Sequence, residues 1–230
     1  MTPHGPIYCE TGHPWLFMAE PVNTITNAFI ILAVLFAVMY VRRSRVGFSA
    51  DLVVLLFLLF AVGIGSTLWH GLRTGWALQL DWIPGVLFLL AFTGFWFRKL
   101  FGWVAGIFGP LAMLAAAVGS VVLWRYFAGV PAGPPQPYMF APAFATIAVI
   151  GLGLVAATAR KFGAREASLG ALILLFAVSA AVFRSIDLLV CSFIPFGTHF
   201  LWHICLSTSS YLGIVLLVRM KKESKKLPSP

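Results

Sequence analysis

The sequence predicts an all-α polytopic membrane protein built as a single bundle of seven transmembrane helices. Its 230 residues are 60% hydrophobic and only 10% charged, whereas a soluble domain is about 45–50% apolar and about 25% charged. Mean hydropathy is +0.95. Uncharged runs at 21–41, 52–72, 100–124, 126–159 and 188–218 each reach or exceed the ~20 residues that cross ~30 Å of hydrocarbon. Basic residues fall between these runs in a one-sided pattern, and hardly any polar sequence is left over for a soluble domain.

Residues 1–20 carry no Lys or Arg ahead of an apolar stretch, and Glu10 and Glu20 interrupt them. They do not read as a signal peptide, so the first helix is expected to stay in the mature protein. That helix spans 21–41 and ends in Arg42, Arg43 and Arg45. Helices at 51–70 and 77–97 are antiparallel neighbours because only the short 71–76 connection separates them. Arg98 and Lys99 close the third helix, and a fourth spans 102–124. The Pro-rich segment 131–137 reads as one stiff loop leading to the fifth helix at 138–159. Arg160, Lys161 and Arg165 follow, then helices at 168–190 and 198–219 and a basic tail over 220–230.

Thirteen of the sixteen basic residues thus lie on one side, against Arg73 and Arg125 on the other, with Arg184 inside the sixth helix. Over short loops this asymmetry predicts a cytoplasmic C-terminus and an N-terminus outside or in a lumen. It also accounts for the net charge of +9 without a nucleic-acid partner.

An ionisable side chain at mid-membrane costs about 2.5–3.5 kcal/mol on insertion scales, so those present are informative. They are His70, Asp81, Arg184, Asp187, His199 and His203, with Glu20 at an interface. Given the predicted orientation, Ser66 and His70 close an outward-running helix. Asp81 lies about one turn into the next helix, and His199 and His203 open the last. All five are expected at one depth near the outer face, although the chain separates them widely.

His199 and His203 are four apart and share a helix face, and Ser66 and His70 repeat that spacing. A lone intramembrane His more often packs helices than binds metal, but three with a carboxylate at one depth point to a metal site. Three neutral imidazoles suit zinc with an open fourth position, where a bound water is acidified to a pKa of ~7. In zinc peptidases a Glu base sits inside the His-x-x-x-His motif. Here 200–202 are Phe-Leu-Trp, which leaves Asp81 as the carboxylate at the right depth. Spacing alone leaves Ser66 open between a functional hydroxyl and one that bonds a backbone carbonyl. Arg184 and Asp187, three apart, are expected to neutralise each other within the sixth helix, the alternative being substrate contact. Cys205 reads as a small core residue. Cys9 and Cys191 both fall on the non-cytoplasmic side, where disulfides persist, and are expected to be bridged, the alternative being two free thiols.

Gly65-Ser66-Thr67-Leu68-Trp69-His70, Leu80-Asp81 and His199-Phe200-Leu201-Trp202-His203 together resemble the signature of the alkaline ceramidases, part of a superfamily of seven-helix membrane hydrolases that includes the adiponectin receptors. Tyr8-Cys9-Glu10 with Ala19 to Asn27, and Arg184-Ser185-Ile186-Asp187 with Cys191, resemble that family's flanking blocks. The resemblance implies zinc on His70, His199 and His203. It implies proton transfer by Asp81, an oxyanion-stabilising hydroxyl at Ser66, and a ceramide or related N-acyl lipid substrate in the membrane.

Trp82 stands where family members often carry a second acidic residue. Of the family's calcium ligands, Glu10 and Glu20 match, while Ile7, Tyr8 and Gly12 replace an Asp, a Trp and an Asn. Calcium prefers six to eight oxygens, so a Ca2+ site there rests on two carboxylates. The rival readings are a receptor-like protein with a structural zinc and a transporter, the latter disfavoured by polar residues gathered near one face. Short loops and a tail without a retrieval motif favour a bacterial inner membrane over an endoplasmic reticulum or Golgi membrane.

Overall fold

The computed structural model describes residues 8–12, 18–129 and 137–224. Within them, seven helices are long and apolar enough to cross a membrane: α1 (Pro21–Ser44), α2 (Ala50–Leu72), α3 (Gly75–Phe101), α4 (Trp103–Phe127), α5 (Tyr138–Phe162), α6 (Ala164–Leu189) and α7 (His199–Ser224). Each expected helix has its counterpart. Most run a few residues past the apolar stretch, because basic side chains in the last turn keep their stems on apolar surface and complement the helix dipole. Arg42 and Arg43 end α1 in this way, as Arg98 and Lys99 end α3 and Arg160 and Lys161 end α5. Most of the Pro-rich segment, 131–136, lies outside the described residues. So do Lys225 and Lys226 of the tail.

The connections are short. Arg73 and Thr74 alone join α2 to α3, Gly102 alone separates α3 from α4, and Gly163 alone separates α5 from α6. Consecutive helices therefore pack as neighbours, and α7 packs on both α6 and α1 to close the bundle. The apolar core of Val41, Leu52, Leu55, Ile214, Leu216 and Leu217 lies toward the ends that carry the basic residues. There Lys221 pairs with Asp51 at 2.5 Å and Arg219 with Glu166 at 2.6 Å, so the acids buried at that end are neutralised.

At the opposite end α2 and α3 approach closely. A Cβ on Gly65 of α2 falls 1.8 Å from the Leu80 carbonyl oxygen and 2.9 Å from the Asp81 nitrogen of α3. Only a bare Cα permits this approach, and it brings Ser66 against Asp81. Because the obstacle is backbone, Gly65→Ala is expected to reach the upper part of the ~1–3 kcal/mol cost of overpacking and to force the two side chains apart. The thermal midpoint of the solubilised protein checks this; an unchanged midpoint contradicts the close approach.

The segment before α1 is fastened over this end. A disulfide joins Cys9 to Cys191 with Cα atoms 5.2 Å apart, as their shared side predicts. Two carboxylates act as remote helix caps, supplying acceptors to first-turn N–H groups that have no intrahelical partner. Glu10 accepts from Val22 N at 2.6 Å and Asn23 N at 2.8 Å at the start of α1. Asp187 accepts from Thr198 N at 2.6 Å and His199 N at 2.8 Å at the start of α7, and from Cys9 N at 2.9 Å.

The expected Arg184–Asp187 pair is therefore corrected. Both Asp187 oxygens are held by backbone donors, and among the described residues no ion pair joins it to Arg184. Gly197 makes room for this cap, since its φ of +66° suits glycine and a Cβ there falls 2.1 Å from Asp187 Oδ1.

Candidate metal centre

His70 comes from the last turn of α2, and His199 and His203 from the first turns of α7. Their ring centroids form a triangle with sides of 5.1, 4.9 and 4.7 Å. One ligand nitrogen from each lies within 4.8 Å of the others, and all three residues are buried. Neutral imidazole is the form that ligates a metal, through whichever ring nitrogen carries no proton.

The remaining ring nitrogens fix the orientation. His70 Nδ1 lies 2.5 Å from Glu20 Oε2, a carboxylate–histidine contact of the kind that sets the tautomer of a metal ligand. Thr26 Oγ1, which donates to the Val22 carbonyl at 2.9 Å, lies 2.9 Å from His203 Nδ1 and holds that side of the ring. That leaves His203 Nε2 as a buried nitrogen without a hydrogen-bond partner, and His199 Nδ1 is another. Buried polar atoms are rarely left unpaired. Two on one imidazole cluster fit a donor set that is completed by a cation.

Glu20 is held on all sides. Besides His70 it meets Arg73 Nη1 at 2.9 Å and Asn23 Nδ2 at 3.0 Å. Burial pushes its carboxyl up to about 7, against the pull of the Arg73 guanidinium and the Asn23 amide. Of the possible calcium ligands, Glu10 accepts from backbone N–H groups at both oxygens, and Glu20 meets an imidazole, a guanidinium and an amide; Ile7 lies outside the described residues.

Tyr8 is a site residue that the sequence reading placed only in a matching block. Its ring lies 4.0 Å from that of His199 and 5.1 Å from that of His70, centroid to centroid. The guanidiniums of Arg184 and Arg73 sit 4.6 and 5.4 Å from its centroid. Asn23 and Thr26 likewise fell only within a matching block, although a further signal existed: Asn23, Thr26 and Asn27, at i, i+3 and i+4, put a polar stripe on an otherwise apolar helix.

Ser66, His70, Asp81, His199 and His203 line one cavity of about 1130 Å³, with Ser66 beside Asp81. Away from this polar end the walls are apolar and aromatic, with Phe88, Phe92, Trp96 and Leu154 among them. The volume exceeds the ~300–1,000 Å³ of most small-molecule sites. The five residues expected at one depth are therefore brought together at the head of a large hydrophobic chamber.

The family model described as Ceramidase matches residues 8–228. The chain matches no curated protein.

Proposed function

The chain belongs to the Ceramidase family, and from that premise we propose a zinc-dependent hydrolase that cleaves the amide of ceramide or a related N-acyl lipid within the membrane. The products are a fatty acid and a long-chain amine. The observation that carries the reading is the cluster of buried imidazoles with unpaired nitrogens at the polar head of an apolar cavity of about 1130 Å³.

His70, His199 and His203 would hold the ion, the donor set of an open zinc site. When bound, such an ion supplies Lewis acidity toward a carbonyl and a water acidified to a pKa of ~7. The chain's own residues do the rest. Asp81 takes the proton of the attacking water at a carboxylate oxygen and returns it to the leaving amine nitrogen.

Ser66 lies beside Asp81, and in the resting site its hydroxyl would donate to that carboxylate. Once Asp81 carries a proton, that hydroxyl is released to donate toward the developing oxyanion. Glu20 and Thr26 are positioning residues that hold His70 and His203 through their Nδ1 atoms. The aromatic walls exclude water and lodge the acyl chain. The basic residues at the other end of the bundle support a cytoplasmic C-terminus, with the imidazole cluster near the non-cytoplasmic surface. A bacterial inner membrane is the setting we favour.

Purified protein incubated with a fluorescent ceramide tests the reading. Release of labelled fatty acid is expected to stop on chelation and to return with added zinc. Tightly bound zinc with no turnover of any N-acyl lipid would favour the receptor-like alternative.

A further inference from the structure

We infer that Arg184 is an anchor for the carboxylate of the fatty acid, a specificity residue that retains the acid product and repels the amine. The inference rests on the hydrolase reading above. It begins from a guanidinium that has no ion-pair partner among the described residues. Arg184 projects from α6 into the wall of the large cavity. Its Nη2 donates to Tyr8 Oη at 3.4 Å, while its Nη1 is buried without a partner.

Asp187, one turn on, is the carboxylate that sequence spacing offers, but its oxygens are held by the backbone of Cys9, Thr198 and His199. The contrast with Arg73 is direct. Both guanidiniums lie near the ring of Tyr8, yet Arg73 has Glu20 at 2.9 Å and Arg184 has no carboxylate within ion-pairing distance among the described residues. A cation left unpaired in an apolar chamber is costly unless a ligand answers it. The guanidinium fork matches a carboxylate in shape and charge.

Its place in the chamber selects between the products. Tyr8 bridges Arg184 to His199, with the guanidinium 4.6 Å and the imidazole 4.0 Å from its ring centroid. Arg184 thus stands beside the imidazole cluster at the polar head, where the scissile carbonyl becomes a carboxylate. That group carries the charge Arg184 lacks, whereas the ammonium of the leaving amine carries the same sign as the guanidinium. The acid gains a partner at Arg184 that the amine does not.

Direct binding to chelated, metal-free protein tests this, using hexadecanoic acid, hexadecanol and hexadecylamine as probes at a pH where the acid is ionised. The unsubstituted protein is expected to bind the acid about 10–100-fold more tightly than the alcohol, and the amine least tightly. Arg184→Gln is expected to bring acid binding down to that of the alcohol while alcohol binding stays unchanged; Arg184→Lys retains most of the preference. Equal binding of acid and alcohol by the unsubstituted protein overturns the inference whether or not the variants fold. Parallel loss of acid and alcohol binding in Arg184→Gln overturns it too, by making the residue structural. Ceramide turnover is measured alongside. Acid selectivity without turnover keeps the anchor and removes the hydrolase, and turnover without selectivity does the reverse.

Discussion

His203→Ala is expected to strip the metal and reduce hydrolysis to background. Its Nε2 is buried without a protein partner, and its Nδ1 is fixed by Thr26, so the ring has one orientation and one free donor. Removing it leaves two imidazoles, and the open position of the site widens into two. Changes one shell further out typically weaken metal affinity by about 10–100-fold; losing a direct ligand should exceed that. Zinc per chain, measured by mass spectrometry after dialysis against a weak chelator, is the primary readout, with ceramide turnover as the second. A variant that keeps its zinc and its rate would show that the three rings are packed together for another reason. Retained alcohol binding in the cavity guards against a trivial loss of fold.

Much of this arrangement was legible in the chain, and the part that was not has a physical reason. Long charge-poor runs betray helices because hydrocarbon tolerates nothing else, and short loops then alternate their direction. Depth follows from direction, which is how His70 and His199, far apart in sequence, could be placed together. Cys9 and Cys191 were paired by the same logic. Spacing along one helix proved a poor guide to partners when the true partner lies elsewhere. Arg184 and Asp187 are correctly spaced for an ion pair, yet Asp187 caps α7 and fastens Cys9, 178 residues away. Glu20 was read in sequence only as a match to a calcium ligand, and the turn between α2 and α3 also brings Arg73 onto it. Nothing in a linear pattern reveals which donor reaches a carboxylate first.

Asp81→Asn is expected to leave the zinc in place and cut turnover by about 10²–10⁴-fold, the usual contribution of a positioned proton-transfer group. The carboxylate is no member of the imidazole cluster, so metal content should not follow activity, in contrast to His203→Ala. An amide of nearly the same shape fills the same space beside Ser66 and spares the close approach at Gly65. It cannot accept a proton, so the attacking water keeps its own and the amine leaves unprotonated. The Ser66 hydroxyl would also remain engaged by the oxygen of the introduced amide at the moment the oxyanion forms. The loss should therefore appear in kcat, with little change in KM, since the acyl chain still finds the same apolar walls. Full activity in the zinc-loaded variant would make Asp81 a structural partner of Ser66 and move the proton-transfer role to another group.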